Sequence, residues 1–163
     1  MRLTHTDEAG GARMVDVGEK PVTVRTAEAR GVVRMSGEAF ALVRDNAAEK
    51  GDVLTLAQVA GIAGAKRASD LIPLCHPLPL DYVEVEVVAD PAVPGVRVTA
   101  RARATARTGV EMEALAAVAA ACLTVYDMVK AVDRAMRIEG IRLIRKTGGQ
   151  SGGWEAEEAG EDG

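Results

Sequence analysis

The stretch "VRVTARARATAR", residues 96–107, places valine or alanine at every second position and arginine or threonine between them. A period of two belongs to a strand with one buried and one solvated face. Shortly before it, Val83, Val85 and Val87 alternate with Glu84 and Glu86. The Asp90-Pro91-Ala92-Val93-Pro94-Gly95 segment between them reads as a hairpin loop. Any register that sets valine against alanine also sets glutamate against arginine or threonine, so both faces agree.

The remaining elements arrange themselves around that hairpin. Thr108-Gly109-Val110-Glu111 has capping-box spacing, and "EALAAVAAACLTVYDMVKAVDRAM" after it is a strong helix former. Its alanines would let it lie close against the small-residue face of the Ala100 to Ala106 strand. Upstream, residues 22–34 are valine-rich and predict a strand interrupted at Gly31. Ser36 can cap a helix over 37–49, closed by Lys50-Gly51, and Asp52 can cap a second from 53 to about 67, stopped by prolines. A last strand covers 138–146. The order is the β-α-β-β-α-β plan of an α+β ferredoxin-like sandwich: an antiparallel sheet with an extra helix in the first crossover. Residues 22–150 form the single domain, 1–21 an extended arm that needs a surface to dock on, and 151–163 a tail, acidic from Glu155, expected to be disordered.

Composition removes several classes of function. A net charge of −4 with 2% aromatic residues argues against a nucleic-acid binder. Two cysteines, Cys75 and Cys122, make no disulfide framework, and the chain shows no secretory pattern, so a cytoplasmic protein with free thiols is expected. The longest apolar run, residues 114–125, is shorter than a membrane span requires. Neither a P-loop nor a strand-linked G-x-G-x-x-G is present.

Four places remain as candidate sites. "LIPLCHPLPL", residues 71–80, sets Cys75 beside His76, but adjacent side chains in an extended segment point apart and make a poor nucleophile–base or metal pair. Asp127 and Lys130 share a helix face among apolar neighbours, which suggests a partly buried proton-transfer pair. Glu111 and Glu113 stand at the start of the same helix, where carboxylates are favoured in any case. Glu113 and Asp127 lie ~21 Å apart along it, so if both act in one pocket, two subunits must supply them. Lys50, Lys66-Arg67 and Arg145-Lys146 are scattered cations, and "KTGGQSGG" could wrap phosphate with backbone N–H groups. From the residues alone, an anion-binding module and a thiol enzyme using Cys75 stay open beside a lysine-based enzyme.

Several motifs in one order carry a resemblance: "LTH", "MVDV", "AGIAGAKRASDLIPLCHPL", "TGVEMEAL", "TVYDMVKAVD" and "KTGGQSG". The chain closely resembles the molybdenum cofactor biosynthesis protein C family, the cyclic pyranopterin monophosphate synthases, from Leu3 to about Gly152. The resemblance implies a hexamer of three dimers with active sites at dimer interfaces. It implies that the substrate is the cyclised dihydro form of GTP, converted to cyclic pyranopterin monophosphate with loss of pyrophosphate. By the same resemblance Lys50, Asp127 and Lys130 are catalytic, and Leu74, Cys75, His76, Glu111, Met112, Glu113, Lys66 and Lys146 bind substrate. No cofactor or resident metal is implied, and whether Mg2+ accompanies the triphosphate stays open. No nucleic-acid or membrane partner is expected. Gly64 departs from the pattern, standing where alanine is frequent.

Overall fold

In the computed structural model, which describes residues 10–149 and 152–157, the hairpin forms in the register that the alternation dictates. β2 (Leu80–Asp90) pairs antiparallel with β3 (Gly95–Ala106), setting Val85 opposite Ala100, Glu84 opposite Arg101 and Glu86 opposite Thr99. β1 (Thr23–Arg34) lies antiparallel on the other side of β3, with Ala27 opposite Ala102 and Ala29 opposite Ala100. β4 (Arg137–Thr147) pairs with β1, and a two-residue β5 (Trp154–Glu155) closes the order β2-β3-β1-β4-β5. This is the antiparallel ferredoxin-like sheet.

Four helices complete the chain: α1 (Gly37–Arg44), α2 (Val53–Lys66), the single turn α3 (Ala68–Leu71) and α4 (Glu111–Val129). Small residues meet where α4 crosses the sheet. Ala27, Ala29, Ala100, Ala102 and Ala104 are buried, as are Ala114, Ala117, Val118, Ala121, Cys122 and Val125 of α4. By length and composition α4 could cross a membrane, but its buried side is the core of this fold. A Cβ on Gly31 would stand 2.7 Å from Val118 Cγ1, and one on Gly64 2.6 Å from Ala120 Cβ and 2.9 Å from the Ala116 carbonyl oxygen. Glycine therefore sets how near α4 comes to both the sheet and α2.

Several expectations need correction. Gly31 does not interrupt β1; the strand continues, and only its pairing with β4 shifts register between Arg30 and Val32. The helix expected over 37–49 ends at Arg44, because Asn46 takes a left-handed φ of 52°. Lys50 thus sits in a turn closed by Gly51 N–H on the Ala48 carbonyl, instead of at a helix end. The capping box does not form: Val110 precedes α4 with no side-chain cap, and Glu111 turns instead to Lys146. Glu155, expected to be disordered, pairs opposite Arg145, whereas residues 1–9, 150–151 and 158–163 lie outside the described residues.

The opposite face of the sheet carries charge. Glu28 is 3% exposed and accepts hydrogen bonds from Arg30, Arg101 and Arg145. Burial alone would raise its carboxyl, but the guanidiniums of Arg101 and Arg145 outweigh that and hold it below the ordinary range. Substituting Gly64→Ala should lower stability by about 1–3 kcal/mol in urea denaturation, since the added methyl meets the α4 backbone.

Candidate active site

Between α3 and β2 the chain cannot continue as helix, because Pro73, Pro77 and Pro79 interrupt it. A last turn closes with Cys75 N–H on the Ile72 carbonyl at 3.0 Å, and the segment then runs out toward β2. Leu74, Cys75 and His76 form one wall of a cavity of about 850 Å³. The start of α4 supplies a second wall with Glu111 and Met112, and the arm supplies a third with Ala12, Val15 and Val17. Part of the arm thus lines this cavity, with Val15 and Val17 half-buried.

A second, more polar cavity of about 300 Å³ adjoins the first and shares Lys20, Thr108, Gly109 and Glu111 with it. It adds Arg25, Arg107 and Lys146. Lys146 Nζ donates to Glu111 Oε1 at 2.7 Å, and Arg25 Nη2 donates to the Arg107 carbonyl at 3.3 Å, while Arg25 Nε is buried without a partner among the described residues. Gly148 and Gly149, at φ of 96° and 79°, fold against Arg25, whose guanidinium occupies the space that a Cβ on Gly149 would need. Two cavities so joined suit a molecule with a planar body and an anionic end. Lys20, Arg25 and Arg107 escaped the sequence reading. The glycines after Lys146 were the legible signal, but not the arginine they wrap.

Behind the first cavity lies Glu113, 2% exposed. Its Oε1 is 3.9 Å from Cys75 Sγ, and its Oε2 is buried without a partner among the described residues. Burial raises the Glu113 carboxyl above the ordinary range. Burial and the neighbouring Glu113 likewise raise the Cys75 thiol, and burial pushes Cys122 up to about 12. Neither thiol is activated as a nucleophile. Among the described residues, no group of three or more His, Cys, Asp or Glu side chains converges as a metal site.

The third cluster stands at the far end of α4. Lys130 Nζ donates to Asp127 Oδ1 at 2.6 Å, and Lys50 Nζ donates to Asp127 Oδ2 at 3.2 Å and to its carbonyl oxygen at 2.9 Å. The hydrogen bonds from Lys130 and then Lys50 hold the Asp127 carboxyl low, and Asp127 raises Lys130. Partial burial was expected here, but the three side chains are 48–59% exposed. Met128 and Val129 face the core, and at about 100° per residue Asp127 is carried to the outside. The structure thus gathers Leu74, Cys75, His76, Glu111, Met112 and Lys146, with Glu113 behind them, and separately gathers Lys50, Asp127 and Lys130. Lys66 is exposed at the end of α2 and lines neither cavity. At neutral pH both cysteines should alkylate more slowly in the folded protein than in urea, as followed by mass spectrometry of iodoacetamide adducts.

Comparison with known proteins places these features in a family. The model of the MoaC family matches residues 14–149. A "cyclic pyranopterin monophosphate synthase" of Cereibacter sphaeroides (strain ATCC 17029) is 64% identical over 154 residues, 94% of this chain and 97% of the relative. Proteins of the same name from Methylobacterium sp. (strain 4-46) and Dinoroseobacter shibae are 59% and 57% identical, over 96% and 95% of this chain and 98% of each relative. Matched along nearly its whole length and through both clusters of candidate residues, the chain belongs to the MoaC family.

Proposed function

We propose that the chain is a cyclic pyranopterin monophosphate synthase, a lyase that converts cyclised dihydro-GTP to cyclic pyranopterin monophosphate and pyrophosphate in molybdenum cofactor biosynthesis. The observation that carries this reading is the junction of the two cavities, one walled by Leu74, Cys75, His76 and Met112 and the other ringed by Lys20, Arg25, Arg107 and Lys146. The relatives bearing that name support it independently.

In this reading the heterocycle packs against the Leu74–His76 wall, where the His76 imidazole and the Glu111-Met112 backbone meet its amide and amino edges. The phosphates lie in the cationic cavity, where Arg25 offers a planar donor fork and the left-handed glycines allow close backbone approach. A ribose hydroxyl attacks the innermost phosphorus and loses its proton to a base. The new O–P bond replaces the bridge to pyrophosphate, whose added negative charge the cations stabilise. A Mg2+ ion accompanying the triphosphate would be part of the substrate.

The ring rearrangement also needs general acids and bases, and we assign these to Lys50, Asp127 and Lys130. In one subunit Asp127 holds Lys130 protonated and both stand in water, ~21 Å along α4 from the cavity. Docking of a second copy would bring this trio to the partner's cavity and desolvate it, lowering the lysines toward proton-transfer range. Lys66, outside both cavities, fits the same arrangement as a phosphate cation supplied across the interface. We therefore propose a homohexamer built as three dimers, with the sites at dimer interfaces.

Incubation with cyclised dihydro-GTP should release pyrophosphate in a coupled assay. Lys50→Ala and Lys130→Ala should each lower kcat by about 100-fold or more while substrate still binds. Arg25→Ala should chiefly weaken binding, by about tenfold or more. No pyrophosphate release under conditions where a known synthase works would overturn the reading.

A further inference from the structure

On the open face of the sheet, one row of side chains crosses all five strands with alternating charge. Glu84 of β2, Arg101 of β3, Glu28 of β1, Arg145 of β4 and Glu155 of β5 each stand opposite the next. Opposite charges facing across strands attract, and like charges repel. The following rows lack a fifth member. β4 carries Arg142, Glu139 and Arg137 there, opposite Arg30, Val32 and Arg34 of β1, and among the described residues no strand pairs with its outer edge from Arg137 to Leu143. The cations along that edge are short of carboxylates. Arg142 donates to the Gly140 carbonyl at 3.4 Å and meets no carboxylate among the described residues. Arg137 shares Glu139 with Arg34, and Arg145 shares Glu28 with Arg30 and Arg101.

The sequence that follows has the complementary order. Residues 155–162 hold Glu155, Glu157, Glu158, Glu161 and Asp162 and no cation, and in a strand Glu155, Glu157, Ala159 and Glu161 share one face. Both β1 and β5 run antiparallel to β4. β1 steps by two, through Glu28, Arg30, Val32 and Arg34, to meet Arg145, Arg142, Glu139 and Arg137, because its register with β4 shifts twice. We propose that residues 155–161 dock as an edge strand along β4 of the same chain, taking the same steps: Glu155, Glu157 and Glu161 stand opposite Arg145, Arg142 and Arg137, and Ala159 stands opposite Glu139. The Ala156 N–H already donates to the Ile144 carbonyl at 2.8 Å, which carries the pairing past Glu155 in this direction. A second copy of β4 on the same edge would instead set one arginine-rich row against its like. Glutamate, alanine and glycine favour strands weakly, so charge is what holds the tail and salt releases it. Docked, it covers an open sheet edge against pairing with other chains. It also fixes β5, and with it the glycine turn after Lys146, in which the Gly152 N–H donates to the Gly149 carbonyl at 3.2 Å.

The effect on the glycine turn rests on the synthase reading, which places phosphates there; the docking does not, and two measurements separate them. Hydrogen exchange read by mass spectrometry compares the full chain with a chain ending at Ala156, whatever the activity of either. At low salt, residues 137–143 should exchange about tenfold or more slowly in the full chain, and about 1 M salt should erase the difference. Glu157→Arg should lose the protection, and adding Arg142→Glu to it should restore the protection. Equal exchange with and without the tail at low salt would overturn the docking, and failure of the second substitution to restore protection would overturn the register. After subunit exchange between isotopically heavy truncated chain and light full chain, protection should stay with the light chain. Protection of the heavy chain would assign the tail to a partner copy and overturn docking within one chain. For the turn, the truncated chain should bind inorganic tripolyphosphate about threefold more weakly, because a preorganised loop loses less freedom on binding. Unchanged binding would overturn that consequence and leave the docking to the exchange data.

Discussion

How near α4 comes to the sheet and to α2 governs the rest of the molecule. Alanine lies beneath the helix, and glycine occupies the two tightest crossings, at Gly31 and Gly64. Close packing of small side chains gives many contacts with little rotamer entropy lost, and it leaves little freedom to shift. A helix seated this way is a ruler. Its 19 residues span ~28 Å, with Glu111 and Glu113 in the first turn and Asp127 in the last. No side-chain motion can bring the two ends into one small-molecule pocket.

The two ends also differ in electrostatic character. At the start of α4, cations from the arm, β1, β4 and the turn after β3 surround a cavity in which one carboxylate, Glu111, engages one lysine. At its end, one carboxylate is held between two lysines that remain half in water. In the proposed reading the first arrangement binds and the second moves protons, and the second lacks the dry surroundings that would tune it. Each end supplies what the other lacks, and that is the physical reason for the proposal that they join across two copies.

Much of this was legible in the sequence, and what was not has definite causes. The period of two in residues 83–87 and 96–106 fixed the hairpin because each pattern admits only one buried face. The alanine-rich helix was equally plain. Local capping signals were less faithful: Asn46 ends α1 early by a left-handed turn, and the capping-box glutamate is drawn to Lys146 across 35 residues. Contacts made only by the fold left no trace at all. Glu28 looks like an ordinary strand residue, yet Arg101 and Arg145 reach it over 73 and 117 positions. Arg25 is the same case, since nothing in its strand announces the glycines that wrap it. The Leu74–His76 wall was legible by motif and the Asp127-Lys130 pair by its helical spacing and by motif; the distance of Asp127 from Glu113 followed from helix geometry alone.

The central claim is that one working site takes its halves from two chains. Its most direct test is to mix His76→Ala protein with Lys130→Ala protein, after confirming by native mass spectrometry that subunits exchange. Each variant alone should be inactive, and random pairing should restore about a quarter of wild-type pyrophosphate release, because half of the dimers would then carry one intact site in two. Exchange without any recovered activity would contradict a shared site and would return all the chemistry to a single chain.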